Sequence, residues 1–213
     1  MSQSFARVPL LLLPPVLVLA WRALHRVVAR AVARHRIAAF SRLHLACGDH
    51  LLDGWANVDM HGPSRVIRWD LTRPLPIATA SMDYVYTEHF IEHIERRQAE
   101  RLLRECRRVL RPGGILRLST PSLRVLVDDY AAGRTRGWED MGWAPSTPCQ
   151  LINEGMRMWG HQFLFDAAEL EGLLREAGFA QVAPRPWRGS PHEALANLEC
   201  RPHHDELIYD CSA

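Results

Sequence analysis

Three acidic side chains, Asp59, Asp70 and Glu88, each stand at or directly behind the end of a short apolar segment that predicts a strand. In an open α/β sheet the ligand binds at the carboxyl ends of the strands, where a carboxylate accepts hydrogen bonds from both hydroxyls of a ribose. Three acids in such positions predict a site for a ligand that carries hydroxyls, an exocyclic amine and an ammonium group.

The segment 43–59 has the pattern of a nucleoside pocket. Its apolar start predicts a buried strand, Cys47-Gly48 predicts a tight turn, and a second short strand ends on Asp59. Small residues directly after a strand let the backbone approach a ligand closely. Because a strand and a turn of this kind also occur in other α/β domains, the rest of the chain must supply the context.

The composition excludes several kinds of site. The chain contains no lysine, so it has neither a Walker phosphate loop nor an amine for Schiff-base chemistry. Its five cysteines are scattered and include no C-x-x-C pair, which is typical of reduced thiols in the cytosol rather than of a disulfide or zinc framework. The length of 213 residues predicts one domain with a short extension.

The positive charge lies in an amino-terminal leader, residues 1–41. Residues 1–42 contain seven arginines and no acidic residue, so they carry +7 and the remainder carries −5 of the net +2. A domain over residues 42–213 with that negative charge is not expected to bind nucleic acid.

Within the leader, an apolar segment precedes a basic amphipathic helix. Residues 8–21 are uncharged, but these 14 residues include three prolines and fall short of the roughly 20 needed to cross a bilayer. Arg22, Arg26, Arg30 and Arg34 then form a stripe opposite Leu24, Val27, Val28 and Ala31. This pattern favours peripheral contact of residues 8–36 with an anionic membrane. A secretory signal, a helix packed on its own domain and a poorly ordered leader are the alternatives.

Strands and helices alternate along the remaining chain. Residues 96–110 carry an apolar stripe at steps of three and four, which predicts a helix ended by the segment 111–114 and followed by a strand over 115–119. A second helix is predicted between Asp166 and Gly178, and apolar runs near residues 195, 198 and 208 are interpreted as closing strands. The alternation predicts an α/β fold with a doubly wound, Rossmann-like sheet, mostly parallel with an antiparallel closing strand.

In their order, these segments resemble the class I S-adenosylmethionine-dependent methyltransferases, most closely the small bacterial type 11-like members that have a Leu-x-Leu-Gly-Cys-Gly opening. The similarity covers residues 42–209. Each motif alone is weak, but the set in order is specific. The matching segments are Leu43-His44-Leu45-Ala46-Cys47-Gly48, Gly54-Trp55-Ala56-Asn57-Val58-Asp59, Asp70-Leu71 with Pro74-Leu75-Pro76, Glu88-His89-Phe90-Ile91-Glu92-His93, Val109-Leu110-Arg111-Pro112-Gly113-Gly114, Trp159-Gly160-His161 and Gly178-Phe179.

The resemblance implies S-adenosylmethionine as the cofactor and methyl transfer as the activity. It implies that the backbone of residues 46–48 lines the methionine and ribose, that Asp59 holds the ribose hydroxyls, that Asp70 lies at the adenine, and that Glu88 with His89 forms the floor beneath the amino-acid moiety. The full set of implied cofactor-binding residues is Ala46, Cys47, Gly48, Asp59, Asp70, Leu71, Glu88 and His89.

One residue departs from the family pattern, because the family usually has glycine where this chain has Ala46. If that position needs a positive φ, alanine strains the turn by around 1 kcal/mol and weakens cofactor binding. This departure keeps open a non-catalytic cofactor-binding or scaffold protein with the same fold. A nicotinamide-dependent reductase is a third interpretation, which the missing G-x-G-x-x-G argues against.

His93 and His161 are the candidate catalytic residues, with His89 next. Methyl transfer to a hydroxyl needs a base for its proton, and histidine suits that role near neutral pH. The segment 89–93 also spells H-x-x-E-H, the inverted zinc-protease signature. Because it follows a strand end within a nucleotide-binding pattern, we expect no metal there.

The segment 130–160 is polar and lacks clear periodicity, which favours a lid or acceptor-binding insertion. Its Trp138 and Trp143, and Trp159 near its end, either stack on a sugar or ring or fold the segment onto the domain. The sequence therefore predicts a cytoplasmic methyltransferase, placed on the inner face of the membrane by its leader. Its acceptor would be a sugar hydroxyl of a cell-surface polysaccharide or a small metabolite.

Overall fold

The computed structural model describes residues 15–135 and 142–213. Within them the chain forms one sheet of seven strands, flanked by five α-helices. The strands are β1 (Arg42–Leu45), β2 (Ala56–Asp59), β3 (Ile67–Arg68), β4 (Met82–Glu88), β5 (Leu110–Thr120), β6 (Gln181–Pro184) and β7 (Leu207–Ser212). The helices are α1 (Pro15–Ile37), α2 (Arg96–Val109), α3 (Leu123–Ala131), α4 (Pro148–Arg157) and α5 (Ala167–Glu176).

The strand order is β3-β2-β1-β4-β5-β7-β6. Strands β1 to β5 pair in parallel, and β7 runs antiparallel to both of its neighbours. The predicted fold class, a mostly parallel Rossmann-like sheet with an antiparallel closing strand, is therefore confirmed. Because β1 lies between β2 and β4, the ends of these three strands meet at one edge of the sheet, and that edge is where the predicted site lies.

The two faces of the sheet are covered differently. The helix face carries residues such as Leu45, Val85 and Leu118, which pack in one apolar cluster with α2 and α5. Helix α2 supplies Ala99, Leu102, Leu103, Cys106 and Val109, all buried. Burying a Leu or Val side chain of this size contributes roughly 2 kcal/mol, so the predicted apolar stripe is what holds α2 on the sheet.

The opposite face, here called the loop face, is covered by the connection between β6 and β7. It carries polar side chains in register, with His44 opposite Tyr86, Tyr86 opposite Arg117, and Arg117 opposite Asp210. The buried Arg117 guanidinium donates to Glu199 Oε1 at 2.6 Å and to Asp210 Oδ1 at 2.8 Å. Because Glu199 belongs to the connection 185–206 and Arg117 to β5, this ion cluster binds the connection to the sheet.

Three segments differ from the prediction. Residues 111–114 lie inside β5 as a bulge, since Met82 pairs with Leu110 but Tyr84 pairs with Ile115. The interpretation of the runs near 195 and 198 as strands was wrong, because the first forms a short 3-10 turn over Glu193–Leu195 and the second forms no strand. The segment 130–160 contains the end of α3 and all of α4, whose ten residues begin at Pro148 directly after the N-cap Thr147. Its Trp138 lies outside the described residues.

The last turns of α1 pack on the core. Ala33 and Ile37 are buried in the helix-face cluster, and the Arg36 guanidinium donates to the backbone carbonyl groups of residues 64–66. Earlier in α1 the apolar side chains are exposed, with Leu24 63% and Val27 66% exposed. None of the described helices is long and apolar enough to cross a bilayer.

Candidate functional site

The turn after β1 and the end of β2 are joined by a hydrogen bond. Ala46 and Gly48 both have left-handed backbones, with φ of 53° and 50°, and the Gly48 N–H donates to Asp59 Oδ2 at 3.0 Å. The His61 N–H donates to Asp59 Oδ1 at the same distance. A carboxylate has about four acceptor positions, so about two remain on Asp59. Two remaining positions match the two hydroxyls of a ribose.

The positive φ of Ala46 confirms the conformation on which the strain argument depended. A non-glycine residue in this region costs on the order of 1 kcal/mol. A Cβ placed on Gly48 would meet no atom within 4 Å, so glycine is needed there for its backbone angle and not for space. The thiol of Cys47 between them is buried, and burial followed by the nearby Asp59 raises its pKa to about 11. The thiol is therefore neutral at pH 7.

Glu88 and His89 stand at the end of β4, next to the end of β1. The Glu88 carboxylate is nearly buried and accepts hydrogen bonds from the backbone N–H groups of Cys200 and Arg201 at 3.2 and 3.1 Å. Both donors belong to the loop-face connection 185–206. Glu88 therefore fixes that connection over the strand end, and its role beneath the amino-acid moiety stays a prediction.

Asp70 and Leu71 follow β3 at the same edge. Asp70 Oδ1 accepts from the backbone N–H and the hydroxyl of Thr72, and Oδ2 pairs with Arg73 at 2.9 Å. These contacts hold the pKa of Asp70 below its usual value although burial opposes them. Leu71 is buried in the core.

A cleft of about 650 Å³ opens between this end of the sheet and α1. The sequence did not indicate that the leader would form one of its walls. Four guanidinium groups and one carboxylate line it, so it favours an aromatic ring or an anion over a positively charged sulfonium. Its lining is His25, Arg26, Ala29, Arg30, Met60, Arg68, Trp69, Asp70, Arg73 and Pro74.

The two candidate catalytic histidines lie together although 68 positions separate them. The rings of His93 and His161 are 5.0 Å apart between centroids. The backbone carbonyl of Glu92 accepts from the N–H groups of Gln162 and Phe163 at 2.7 and 3.2 Å. This pair of bonds ties the segment after α4 to the short 3-10 turn Ile91–His93, and so brings His161 beside His93.

Burial sets the charge state of this histidine cluster. It lowers the pKa of His89 to about 3 and lowers the pKa of His93 and His161 as well. All three rings are therefore neutral at pH 7. The contact of 3.6 Å between His89 Nδ1 and Glu92 Oε1 is consequently not an ion pair. Burial raises the pKa of Glu92 to about 7, against the opposing effect of hydrogen bonds from the backbone and Thr120.

Aromatic side chains extend the cluster outward. Trp159 lies 5.7 Å from His161 and 5.4 Å from Trp143, measured between ring centroids. Trp143 is buried and its indole N–H donates to Glu154 at 2.7 Å, so it folds the segment onto the domain. Trp159 is 37% exposed and has a left-handed backbone with φ of 60°. Ala46 and His89 also have positive φ, as do Ala80, Arg188, Asn197 and Asp205 in turns elsewhere in the described chain.

Comparison with known proteins shows which proteins this chain is similar to. The family model described as a methyltransferase domain matches residues 45–118. A probable S-adenosylmethionine-dependent methyltransferase of Mycolicibacterium smegmatis is 30% identical over 177 residues, which cover 75% of this chain and 59% of that protein. A probable S-adenosylmethionine-dependent methyltransferase of Mycobacterium tuberculosis is 35% identical over 109 residues, 51% of this chain and 31% of that protein. This chain thus spans less than two thirds of either relative.

Solved structures agree at the level of the fold. An S-adenosylmethionine-dependent methyltransferase from Mesorhizobium loti matches with a TM-score of 0.50 at 19% identity, covering 87% of this chain and 96% of that one. One from Archaeoglobus fulgidus matches with a TM-score of 0.50 at 16% identity, covering 88% and 94%. These findings agree with the predicted class: residues 45–118 match a methyltransferase-domain model, and the fold is that of solved S-adenosylmethionine-dependent methyltransferases.

Proposed function

We propose that this chain binds S-adenosylmethionine at the carboxyl edge of its sheet and transfers a methyl group to an acceptor hydroxyl. The observation that carries the proposal is the left-handed turn Ala46–Gly48, hydrogen-bonded to an Asp59 carboxylate that keeps two acceptor positions. The family and fold of the domain support the same cofactor.

The bound cofactor would supply an electrophilic methyl group on a sulfonium. The protein then has to align the acceptor with that methyl group and exclude water, because in-line transfer depends mainly on orientation. Asp59 would hold the ribose, the backbone of residues 46–48 the methionine side, and Asp70 the adenine in the cleft beside α1, which the buried Leu71 does not line. Glu88 and His89 would form the floor beneath the amino-acid moiety.

His161 is suited to take the acceptor proton. Its Nδ1 lies 3.0 Å from the Gly155 carbonyl oxygen, and because a carbonyl only accepts, Nδ1 must carry the proton. The lone pair of the neutral ring is therefore on Nε2. His93 lies beside it and is the second candidate.

The exposed face of Trp159 beside His161 favours an acceptor with a flat apolar surface, such as a sugar ring. Aromatic side chains offer a large surface at little cost in conformational entropy. We therefore propose a saccharide hydroxyl as the acceptor, with a small hydroxylated metabolite as the alternative that fits the same pocket.

Calorimetric titration with S-adenosylhomocysteine tests the cofactor assignment. We expect binding by the wild type and at least a tenfold loss in Asp59→Ala. Asp53→Ala is the matched control, because Asp53 is an exposed acid on the same connection between β1 and β2 and its loss should leave affinity unchanged. Equal affinity in all three proteins contradicts the ribose contact. Cofactor binding without methyl transfer to any saccharide or metabolite in a broad panel indicates the non-catalytic binding protein instead.

We further propose that α1 places the domain on the cytoplasmic surface of an anionic membrane. Its exposed apolar residues include Val16, Leu19, Leu24, Val27 and Val28. Arg26 and Arg30 form no close ion pair with an acidic side chain in the described part of the chain, although Arg30 is near enough to Glu105 to help lower its pKa, and the leader has no acidic residue of its own. Apolar burial together with arginine near anionic headgroups is what holds such helices at a bilayer surface.

Flotation with lipid vesicles tests this contact. We expect binding to vesicles with anionic phosphatidylglycerol, weaker binding to zwitterionic vesicles, and release at high salt because exposed charges are then screened. The pair Arg26→Gln/Arg30→Gln should weaken binding, whereas Arg101→Gln, an exposed arginine on α2, should not. Absence of the wild type from the floated fraction at low salt contradicts the proposal.

A further inference from the structure

The buried carboxylate of Glu92 is only half satisfied. Its Oε2 accepts from the Thr120 hydroxyl at 3.0 Å, whereas its Oε1 is buried without a hydrogen-bond partner. The side chain is 0% exposed. Leaving a buried carboxylate oxygen without a donor is unfavourable, so this atom is placed for a ligand that the fold itself does not supply.

Histidine nitrogens surround that oxygen. His93 Nε2 lies 3.8 Å from Glu92 Oε1, and one ligand atom each of Glu92, His93 and His161 lies within 4.8 Å of the others. Three ligands bound to one zinc ion stand roughly 3.4 Å apart, from bond lengths of about 2.0–2.2 Å and tetrahedral angles. A contraction of about 1 Å through side-chain rotation would bring these atoms to that spacing.

The His161 ring is oriented as metal-binding histidines usually are, with the non-ligating nitrogen held by the protein. His161 uses Nδ1 to donate to the Gly155 carbonyl, which leaves Nε2 to bind. The Nδ1 side of His93 faces Gly160, where an added Cβ would lie 4.0 Å away, and its Nε2 faces Glu92.

The backbone around the cluster is rigid and strained at one point. The Gln162 side chain donates to the His93 carbonyl at 2.8 Å, in addition to the two backbone bonds on the Glu92 carbonyl. The turn Met158–Gly160, which directly precedes His161, contains Trp159 in a left-handed backbone conformation. A non-glycine residue is kept in that region only where the surroundings fix it, so the position of His161 is set by the fold.

We propose that Glu92, His93 and His161 form a binding site for a divalent transition metal ion, with zinc as the best match to one carboxylate and two imidazoles. Three protein ligands leave at least one coordination position open, as in catalytic zinc sites. If the proposed methyl transfer holds, the open position would take the acceptor oxygen and lower the pKa of its hydroxyl. In that case the two histidines act on the acceptor through the ion and not as free bases.

The site combines segments that the sequence keeps apart. Two ligands come from the H-x-x-E-H segment, whose first residue, His89, stays outside the set of three. The third ligand comes from the Trp159-Gly160-His161 segment. A zinc-protease helix would use both histidines of the motif, whereas here residues 91–93 form a 3-10 turn and the arrangement is a different one.

Metal titration of the full chain tests the proposal without any need for methyl transfer. The protein is freed of metal with a chelator and dialysed, then titrated with Zn²⁺ against a chromophoric chelator and with Co²⁺ while its visible absorption is followed. We expect one equivalent to bind, with a cobalt spectrum of low coordination number. His93→Gln and His161→Gln should each weaken binding on the order of 100-fold, at the upper end of the effects seen when the surroundings of a metal are altered.

His35→Gln is the matched control, since His35 is exposed on α1, and it should bind zinc as the wild type does. Because Glu92→Gln removes a buried group, it is judged only if its circular dichroism matches that of the wild type. Zinc binding that survives in the double variant His93→Gln/His161→Gln, or no binding by the wild type, overturns the proposal. Titration with S-adenosylhomocysteine is run on the same metal-free protein, so a failed metal site and a failed cofactor site give different results.

Discussion

The two faces of the sheet are held by different forces. On the helix face, α2 and α5 bury an apolar stripe against residues such as Leu116 and Leu118. On the loop face, a connection of irregular backbone is held by the buried cluster of Arg117, Glu199 and Asp210. The helix face is stabilised by non-directional apolar burial, whereas the loop face combines a smaller apolar cluster around Tyr86 and Leu195 with matched charges in a low-dielectric environment.

The difference matters for the site because the loop face reaches the strand ends. The backbone N–H groups of Cys200 and Arg201 bind Glu88 at the end of β4. The helix face also reaches the site, because α2 starts at Arg96, directly after the turn that carries His93. The predicted cofactor site therefore lies between the helix face and the connection 185–206 on the loop face.

Breaking the charge cluster should have the largest effect. Arg117→Met leaves Glu199 buried without its partner, while Asp210 keeps Arg185 and Ser190, and removing one member of a buried pair costs about 3–5 kcal/mol. We expect a loss of about 4 kcal/mol in the free energy of unfolding, measured in urea. Arg104→Ala is the control, because its pair with Glu100 is exposed and such pairs contribute less than about 1 kcal/mol. A loss below about 1 kcal/mol in Arg117→Met would mean that the connection is held by other contacts.

The contacts of the helix face were predicted from the sequence and those of the loop face were not, because only the former depend on a local pattern. An apolar stripe is a local pattern, and α2 was expected over residues 96–110 and found over Arg96–Val109. The partners of Arg117 are 82 and 93 positions away, and no local pattern marks an arginine that will be buried. The end of β2 was also predicted from a local pattern, since the strand ends on Asp59 as expected.

The candidate site was predicted in part. Strand ends locate Ala46, Asp59 and Glu88, because the carboxyl ends of parallel strands meet at one edge. The proximity of His93 and His161 depends on backbone bonds between Glu92 and residues 162–163, which no sequence pattern encodes. The share of α1 in the cleft beside Asp70 was not predicted, because the basic stripe of α1 favoured a membrane surface as strongly as contact with the domain.

A mutation that creates a cavity on the helix face can be compared with Arg117→Met on the loop face. Leu103 is 1% exposed, and Leu→Ala in a core costs about 2.7–5 kcal/mol. We expect Leu103→Ala to lose about 3 kcal/mol in urea unfolding without any change in affinity for S-adenosylhomocysteine. Arg117→Met should by contrast weaken that affinity, since the connection over Glu88 loosens. Equal effects of both variants on affinity would remove the distinction between the faces.

The loop face should also make stability depend on pH. Burial lowers the pKa of His44 to about 4, against the effect of its hydrogen bond with Asn57. Below the unfolded value of 6.5 the unfolded chain binds the proton and the folded chain does not, so stability falls as the pH falls towards 4. Between about pH 7 and about pH 5 we expect a loss of about 2 kcal/mol relative to His44→Gln. Parallel pH curves for the two proteins would show that His44 does not titrate as described.

A mutation in the turn after β1 should have the smallest effect on the free energy of unfolding, and that effect should come from backbone strain. Gly48→Ala places a Cβ in open space at φ of 50°, so we expect a loss of about 1 kcal/mol from strain alone. Gly172→Ala is the matched control, because its Cβ also meets no atom within 4 Å but lies within α5, where the same change stabilises by roughly 0.5–1 kcal/mol. Opposite signs for the two variants in urea unfolding are expected, and equal signs would contradict the strain.

The most direct measurement is a crystal structure of the full chain with S-adenosylhomocysteine. We expect the ribose hydroxyls on the Asp59 carboxylate, the adenine beside Asp70 in the cleft against α1, and the sulfur directed towards His93 and His161. A ribose bound away from Asp59, or a sulfur directed away from the two histidines, would contradict the account.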